Sequence, residues 1–121
     1  MQLRILQSFL LLTLTGCATT TASSSLLDSL AKDLRAMRAL PIATPTNAMC
    51  PSNAESLLGL SKTQLQNALG DPDFIDRPVT SWSYSFTSPL PPYQFGGGHP
   101  ELTFTFGLAE RVIHVSCHYS R

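Results

Sequence analysis

Three residues near the carboxyl end have side chains of the types that chemistry requires. His114, Cys117 and His118 stand in the run HVSCH, a set from which metal sites and Cys/His nucleophiles are both drawn. Their spacing works against either use. On a β-strand Cys117 points away from both histidines, which then stand ~13 Å apart at ~3.3 Å per residue. Zinc ligands must converge on one point with bonds of ~2.0–2.3 Å. His99 belongs to a loop, and the local pattern brings it to neither.

Hydroxyls accompany the histidines. Ser81, Ser83, Ser85, Thr103, Thr105 and Ser116 share the polar face of the same sheet with His114 and His118, but no orienting acid or oxyanion donor joins them. A solvated face, or one covered by a partner, accounts for the same residues. Asp71, Asp73 and Asp76 crowd one segment without the spacing of an EF-hand, which leaves them turn and cap duty. The sequence thus predicts no enzyme, with no catalytic residue, no metal site and no cofactor.

Cys17 is a different case. Arg4 places a positive charge near the amino terminus, an apolar run follows over residues 5–14, and the small residues Thr15 and Gly16 precede the cysteine. This is the three-part pattern of a secretory signal, and the run is too short for a spanning helix, which needs ~20 residues. Leu14-Thr15-Gly16-Cys17 also resembles the bacterial lipobox, in which the cysteine is lipidated and the bond before it is cut. The resemblance implies a membrane partner reached through acyl chains on Cys17. Ala18 after it implies outer-membrane sorting, with the chain facing the periplasm. An ordinary secretory signal that happens to contain a cysteine is the alternative.

Removing residues 1–16 from the 121 leaves 105, enough for one small domain, and takes Arg4 alone among the charged side chains. Seven cations then face eight anions, so no basic patch invites nucleic acid. With Cys17 acylated, Cys50 and Cys117 remain. An even pair in an exported chain reads as a disulfide, with two unpaired buried thiols as the alternative.

Elements follow from periodicity. Residues 17–25 read as a Ser/Thr-rich flexible tether. Leu26, Leu27, Leu30, Leu34 and Met37 recur at helical spacing, so residues 26–40 form an amphipathic helix with Ser25 as N-cap, stopped by Pro41. Residues 41–47 are a linker. That helix folds back as core, docks on a partner or lies on the membrane; mixed charges on its polar face weigh against the last.

Within residues 48–121, Ser52-x-x-Glu55 and Ser61-x-x-Gln64 are two capping boxes, each opening a short helix. Gly59 and Gly70 suit the helix ends, and Pro72 forbids continuation. Three runs then alternate with period two. Trp82, Tyr84 and Phe86 face one way in the first, and Leu102, Phe104 and Phe106 in the second. In the third Ile113, Val115, Cys117 and Tyr119 are expected on the packed face. The predicted fold class is α+β. Two short helices pack on a three-stranded antiparallel meander as a two-layer sandwich, with the amphipathic helix as an extra element.

The run Gly59-Leu60-Ser61-Lys62-Thr63-Gln64-Leu65, then Leu69-Gly70-Asp71-Pro72, resembles the signature of the SmpA/OmlA (BamE-like) lipoprotein family. Trp82-x-Tyr84, Leu102-x-Phe104-x-Phe106 and Val112-Ile113-x-Val115 fit its later part. The resemblance implies a periplasm-facing accessory lipoprotein that supports outer-membrane protein assembly or envelope integrity, with outer-membrane assembly proteins as partners. Similar modules in β-lactamase-inhibitor-like proteins imply an alternative, a binding module that blocks a periplasmic enzyme by inserting a loop over residues 93–99. The connection over residues 88–100, SPLPPYQFGGGHP, departs from the family pattern. Its Pro89, Pro92, Tyr93 and Phe95 are the candidate partner contacts, as an extended proline stretch with aromatics beside glycines.

Overall fold

A computed structural model gives the fold. It describes the backbone of residues 18–91 and 98–120, with the side chains of all of these except 18–22. Cys17, Pro92, Tyr93 and Phe95 lie outside the described residues.

The first element is a helix, α1 (Ala18–Arg38), of 21 residues. It begins eight residues before the expected start and runs through the segment expected to be a flexible tether, which is a correction. Ser and Thr cost a helix only ~0.5 kcal/mol each relative to Ala. A helix already fixed downstream carries them. Leu27, Leu30, Ala31, Leu34 and Met37 are all buried, so this helix is core. Ser23 Oγ donates to the Ser56 carbonyl at 2.6 Å and ties down the early part of the helix. Arg35 and Arg38 fall in the last turn, where the dipole favours cations.

The first predicted capping box does not form. A 3₁₀ turn spans Ala54–Leu57 with Asn53, not Ser52, at its N-cap and no side-chain cap bond. Four residues suffice to bury Leu57 before Leu58 turns extended. Gly59 follows at φ +87°, and its N–H donates to the Val112 carbonyl at 2.8 Å. The second box forms in full. Ser61 Oγ accepts the Gln64 N–H at 3.1 Å and the Gln64 side chain accepts the Ser61 N–H at 2.9 Å, opening α2 (Lys62–Leu69). Gly70 ends it at φ +77°, a backbone region that side chains with a Cβ avoid.

The sheet has four antiparallel strands in the order β1-β2-β3-β4, one more than predicted. The addition is the edge strand β1 (Phe74–Asp76), whose three residues are all exposed and carry no alternation to read. Strands β2 (Ser81–Ser85), β3 (Pro100–Phe106) and β4 (Val112–Tyr119) are the three expected runs. Along β3 burial alternates at every residue, with Leu102, Phe104 and Phe106 inward.

In β4 the expected facing fails at its start. Phe104 pairs with Val115 and Thr105 with His114, but Phe106 pairs with Val112, so Ile113 is the extra residue of a bulge. Val112 is buried and Ile113 exposed, the reverse of the prediction. Beyond the bulge Val115 and Cys117 return to the core face, whereas Tyr119, also expected there, is exposed at the end of the strand.

Both helices and the 3₁₀ turn share one core with the inward side chains of the sheet, which leaves the Ser/Thr face uncovered by helices. Among the described residues no helix is long and apolar enough to cross a membrane.

Candidate functional site

Cys50 and Cys117 are joined. Their sulfurs lie at the bonding distance of 2.02 Å and their Cα atoms 5.8 Å apart, with 67 residues of sequence separation. Cys117 stands opposite Leu102 on the core side of β4. The Cys50 N–H donates to the Tyr119 hydroxyl at 3.2 Å, a second tie between the same two segments. This pair stitches the chain before the 3₁₀ turn to the last strand. It is not a reactive thiol site.

The histidines separate as strand geometry dictates. His114 pairs with Thr105 in register, whereas His118 Nε2 lies 4.0 Å from Glu101 Oε1 at the rim. Two hydroxyls of the polar face bond each other, Ser83 Oγ and Thr103 Oγ1 at 2.9 Å, whereas Ser81 and Ser85 are buried. His99, assigned from sequence to a loop, is buried beside Ser120. Its Nε2 lies 3.0 Å from Ser120 Oγ, and its carbonyl accepts the Ser120 N–H at 2.9 Å. No described carboxylate bonds the ring, so this contact clasps the start of β3 to the end of β4. Among the described residues no three His, Cys, Asp or Glu side chains converge as a metal site would require.

Asp71 acts locally, whereas Asp73 ties distant segments together. Asp73 Oδ2 accepts the Ser85 N–H at 2.7 Å and pairs with Arg38, whose guanidinium also donates to the Ser85 carbonyl at 3.1 Å. One carboxylate thus locks the end of α1 to the β1–β2 pair. Asp71 accepts from the Gln66 amide. Above them, the buried Tyr84 hydroxyl donates to the Gly70 carbonyl at 2.9 Å. Burial first, then the charges of Asp73 and Asp71, push this phenol well above its ordinary range.

Among the described residues, a concave surface lies along the second half of α1. A groove of about 420 Å³ opens between α1 and residues 45–49, lined by Leu30, Met37, Leu40, Ala48, Met49 and Phe86, with Asp33 beside them. Met49 is 79% exposed. The far wall runs from the end of the predicted linker into Ala48 and Met49, and the linker is held in place by the start of the long connection. The Ala43 N–H donates to the Pro89 carbonyl at 2.8 Å, and Ser88 Oγ donates to the Thr44 carbonyl at 2.7 Å.

Pro89, alone of the four candidate contact residues, is therefore placed, half-buried next to exposed Leu90, and its carbonyl is engaged within the fold. Sequence periodicity missed the groove, because no pattern in residues 41–49 announces that they fold back on α1. The apolar Met49 beside Ala48 was the one available signal.

No family model matches the chain, and no curated protein matches it.

Proposed function

We propose that this protein is a non-enzymatic lipoprotein, held by acyl chains on Cys17 at the outer membrane, whose domain scaffolds other envelope components in the periplasm. The observation that carries this reading is the run Leu14-Thr15-Gly16-Cys17 set directly before a folded, disulfide-bearing domain. Two or more acyl chains make such an anchor effectively permanent, since each buried CH₂ contributes ~0.8 kcal/mol.

The groove supplies the contact surface. It lies along the carboxyl half of α1, toward the end remote from Cys17. The 21 residues of α1 span about 30 Å at ~1.5 Å per residue. A partner engaged there stands clear of the lipid headgroups, within reach of components that project from the membrane. Confinement to the bilayer raises the effective concentration of the groove for such partners without any new contact. The leading role is support of outer-membrane protein assembly or envelope integrity, with assembly proteins as partners.

The test is affinity purification of the intact lipoprotein from gently solubilised membranes, followed by mass spectrometry, beside a Met49→Asp variant. Barrel-assembly components should co-purify with the parent and be lost with the variant, whose exposed site spares the fold. A clean preparation from the parent overturns the assembly role.

A further inference from the structure

We propose that the end of the domain from which α1 starts rests in the headgroup layer of the bilayer. The protein then touches its membrane with side chains as well as acyl chains. This inference rests on the anchor at Cys17 proposed above.

The argument begins with what meets at that end. Ser23 is tied to Ser56, so the start of α1 stands beside the 3₁₀ turn. The loop after that turn is fixed to the start of β4, with the Gly59 N–H on the Val112 carbonyl and the Arg111 guanidinium on the Gly59 carbonyl at 3.0 Å. The Lys62 N–H donates to the Glu110 carbonyl at 3.2 Å, and the Phe106 N–H to the Thr80 carbonyl at 3.0 Å. Four pieces of chain therefore share one end: the start of α1, the loop at 58–60, and the turns at 77–80 and 107–110.

The three pieces after α1 each raise an apolar side chain into solvent. Leu58 is 47% exposed, Val79 58%, and Leu108 is wholly exposed in the turn before β4. Ile113 joins them through its bulge, folded over Gly107, where an added Cβ would meet its Cγ2 at 2.8 Å. Water-facing leucines and valines scattered singly need no explanation, but a group on three neighbouring loops does.

The chain itself says what covers them. Ala18 lies five residues before Ser23, about 8 Å along the axis at ~1.5 Å per residue, and the anchored residue comes next. A gap of that size is narrower than the ~10 Å of a single helix with its side chains. No folded partner fits between this end and the bilayer, so lipid is the occupant. Charge adds no selectivity, because the segments at this end carry Lys62, Arg77 and Arg111 together with Glu55, Asp76 and Glu110, and Lys62 pairs with Glu110 at 3.6 Å. Apolar insertion drives the contact, which binds neutral and acidic lipid alike.

The full lipidated chain, reconstituted into phosphatidylcholine vesicles, tests this with an environment-sensitive fluorophore on Leu108→Cys. With Cys17 acylated and Cys50 bonded to Cys117, the new thiol is the single labelling site. Ile42→Cys, exposed beyond the other end of α1, is the control. The probe at 108 should shift to shorter wavelength and lose emission to a lipid spin-labelled near its headgroup, whereas the probe at 42 keeps an aqueous spectrum. Adding phosphatidylserine or salt should change neither. A chain that floats with the vesicles while both probes stay aqueous overturns the contact and leaves the anchor standing. A probe at 108 shielded from both the spin label and aqueous iodide also overturns it, because protein then covers the site. A chain that does not float with the vesicles overturns the anchor and this inference together.

Discussion

Truncation at Ala48 removes α1 and residues 41–47 while sparing the disulfide, α2 and every strand. Leu27, Leu30, Leu34 and Met37 leave with the helix, each at most 8% exposed in the intact chain. Full burial of such a side chain contributes ~1.5–3 kcal/mol, so the four together contribute roughly 6–12 kcal/mol, an upper figure because the unfolded chain already buries some of that area. A domain of this size is stable by only ~5–15 kcal/mol in total. The truncated chain should therefore lose its cooperative thermal transition, followed by near-ultraviolet circular dichroism, and bind a dye for exposed apolar surface at Leu57, Leu65, Leu69 and Phe86. Leu34→Ala provides the graded version, with an expected loss of ~2–5 kcal/mol by urea titration. A truncated chain that melts sharply near the temperature of the parent would refute the placement of α1 in the core.

Four further outcomes are expected. Reducing the bond between Cys50 and Cys117 should cost about 4 kcal/mol in urea titration, the chain-entropy value for a closed loop of 67 residues; no change in midpoint would count against it. Ser61→Ala should lower stability by ~1 kcal/mol through loss of the α2 cap, measured the same way. Asp73→Ala leaves the Ser85 N–H without its acceptor and Arg38 with the Ser85 carbonyl but no carboxylate, and should cost ~1–2 kcal/mol by urea titration. The phenol of Tyr84 has its folded pKa raised by burial, so its contribution is complete below pH ~10, the unfolded value, and is lost as pH rises beyond it. Alkaline melts should show that decline in the parent and a shallower one in Tyr84→Phe.

Much of the domain was legible because local chemistry and burial agree. The Ser61–Gln64 box, the glycines at 59 and 70 and the strict alternation of β3 each state the same answer at two levels, and the structure has all of them. The disulfide was legible from cysteine parity. The misses share a cause, since each depended on a tertiary contact. Residues 18–25 are polar and small, and only packing farther along α1 and the bond from Ser23 to Ser56 make them helical. Strand β1 has no buried residue and exists through its pairing with β2. The β4 bulge reverses Val112 and Ile113 because Val112 is drawn to the loop before α2, its N–H donating to the Leu60 carbonyl at 2.8 Å. Residues 41–49 carry no periodicity, so apart from the apolar Met49 beside Ala48 nothing there reveals the groove wall at 45–49, whereas the separation of His114, Cys117 and His118 was visible from strand pitch alone.

The central claim is that the mature protein begins at an acylated Cys17. Intact-mass and peptide mass spectrometry of the protein isolated from bacterial membranes measures this directly. The account predicts a chain lacking residues 1–16, with a diacylglyceryl group on the Cys17 sulfur and a Cys17→Ala variant released from the membrane fraction. A free Cys17 thiol, or a Cys17→Ala variant that stays with the membrane, would contradict it.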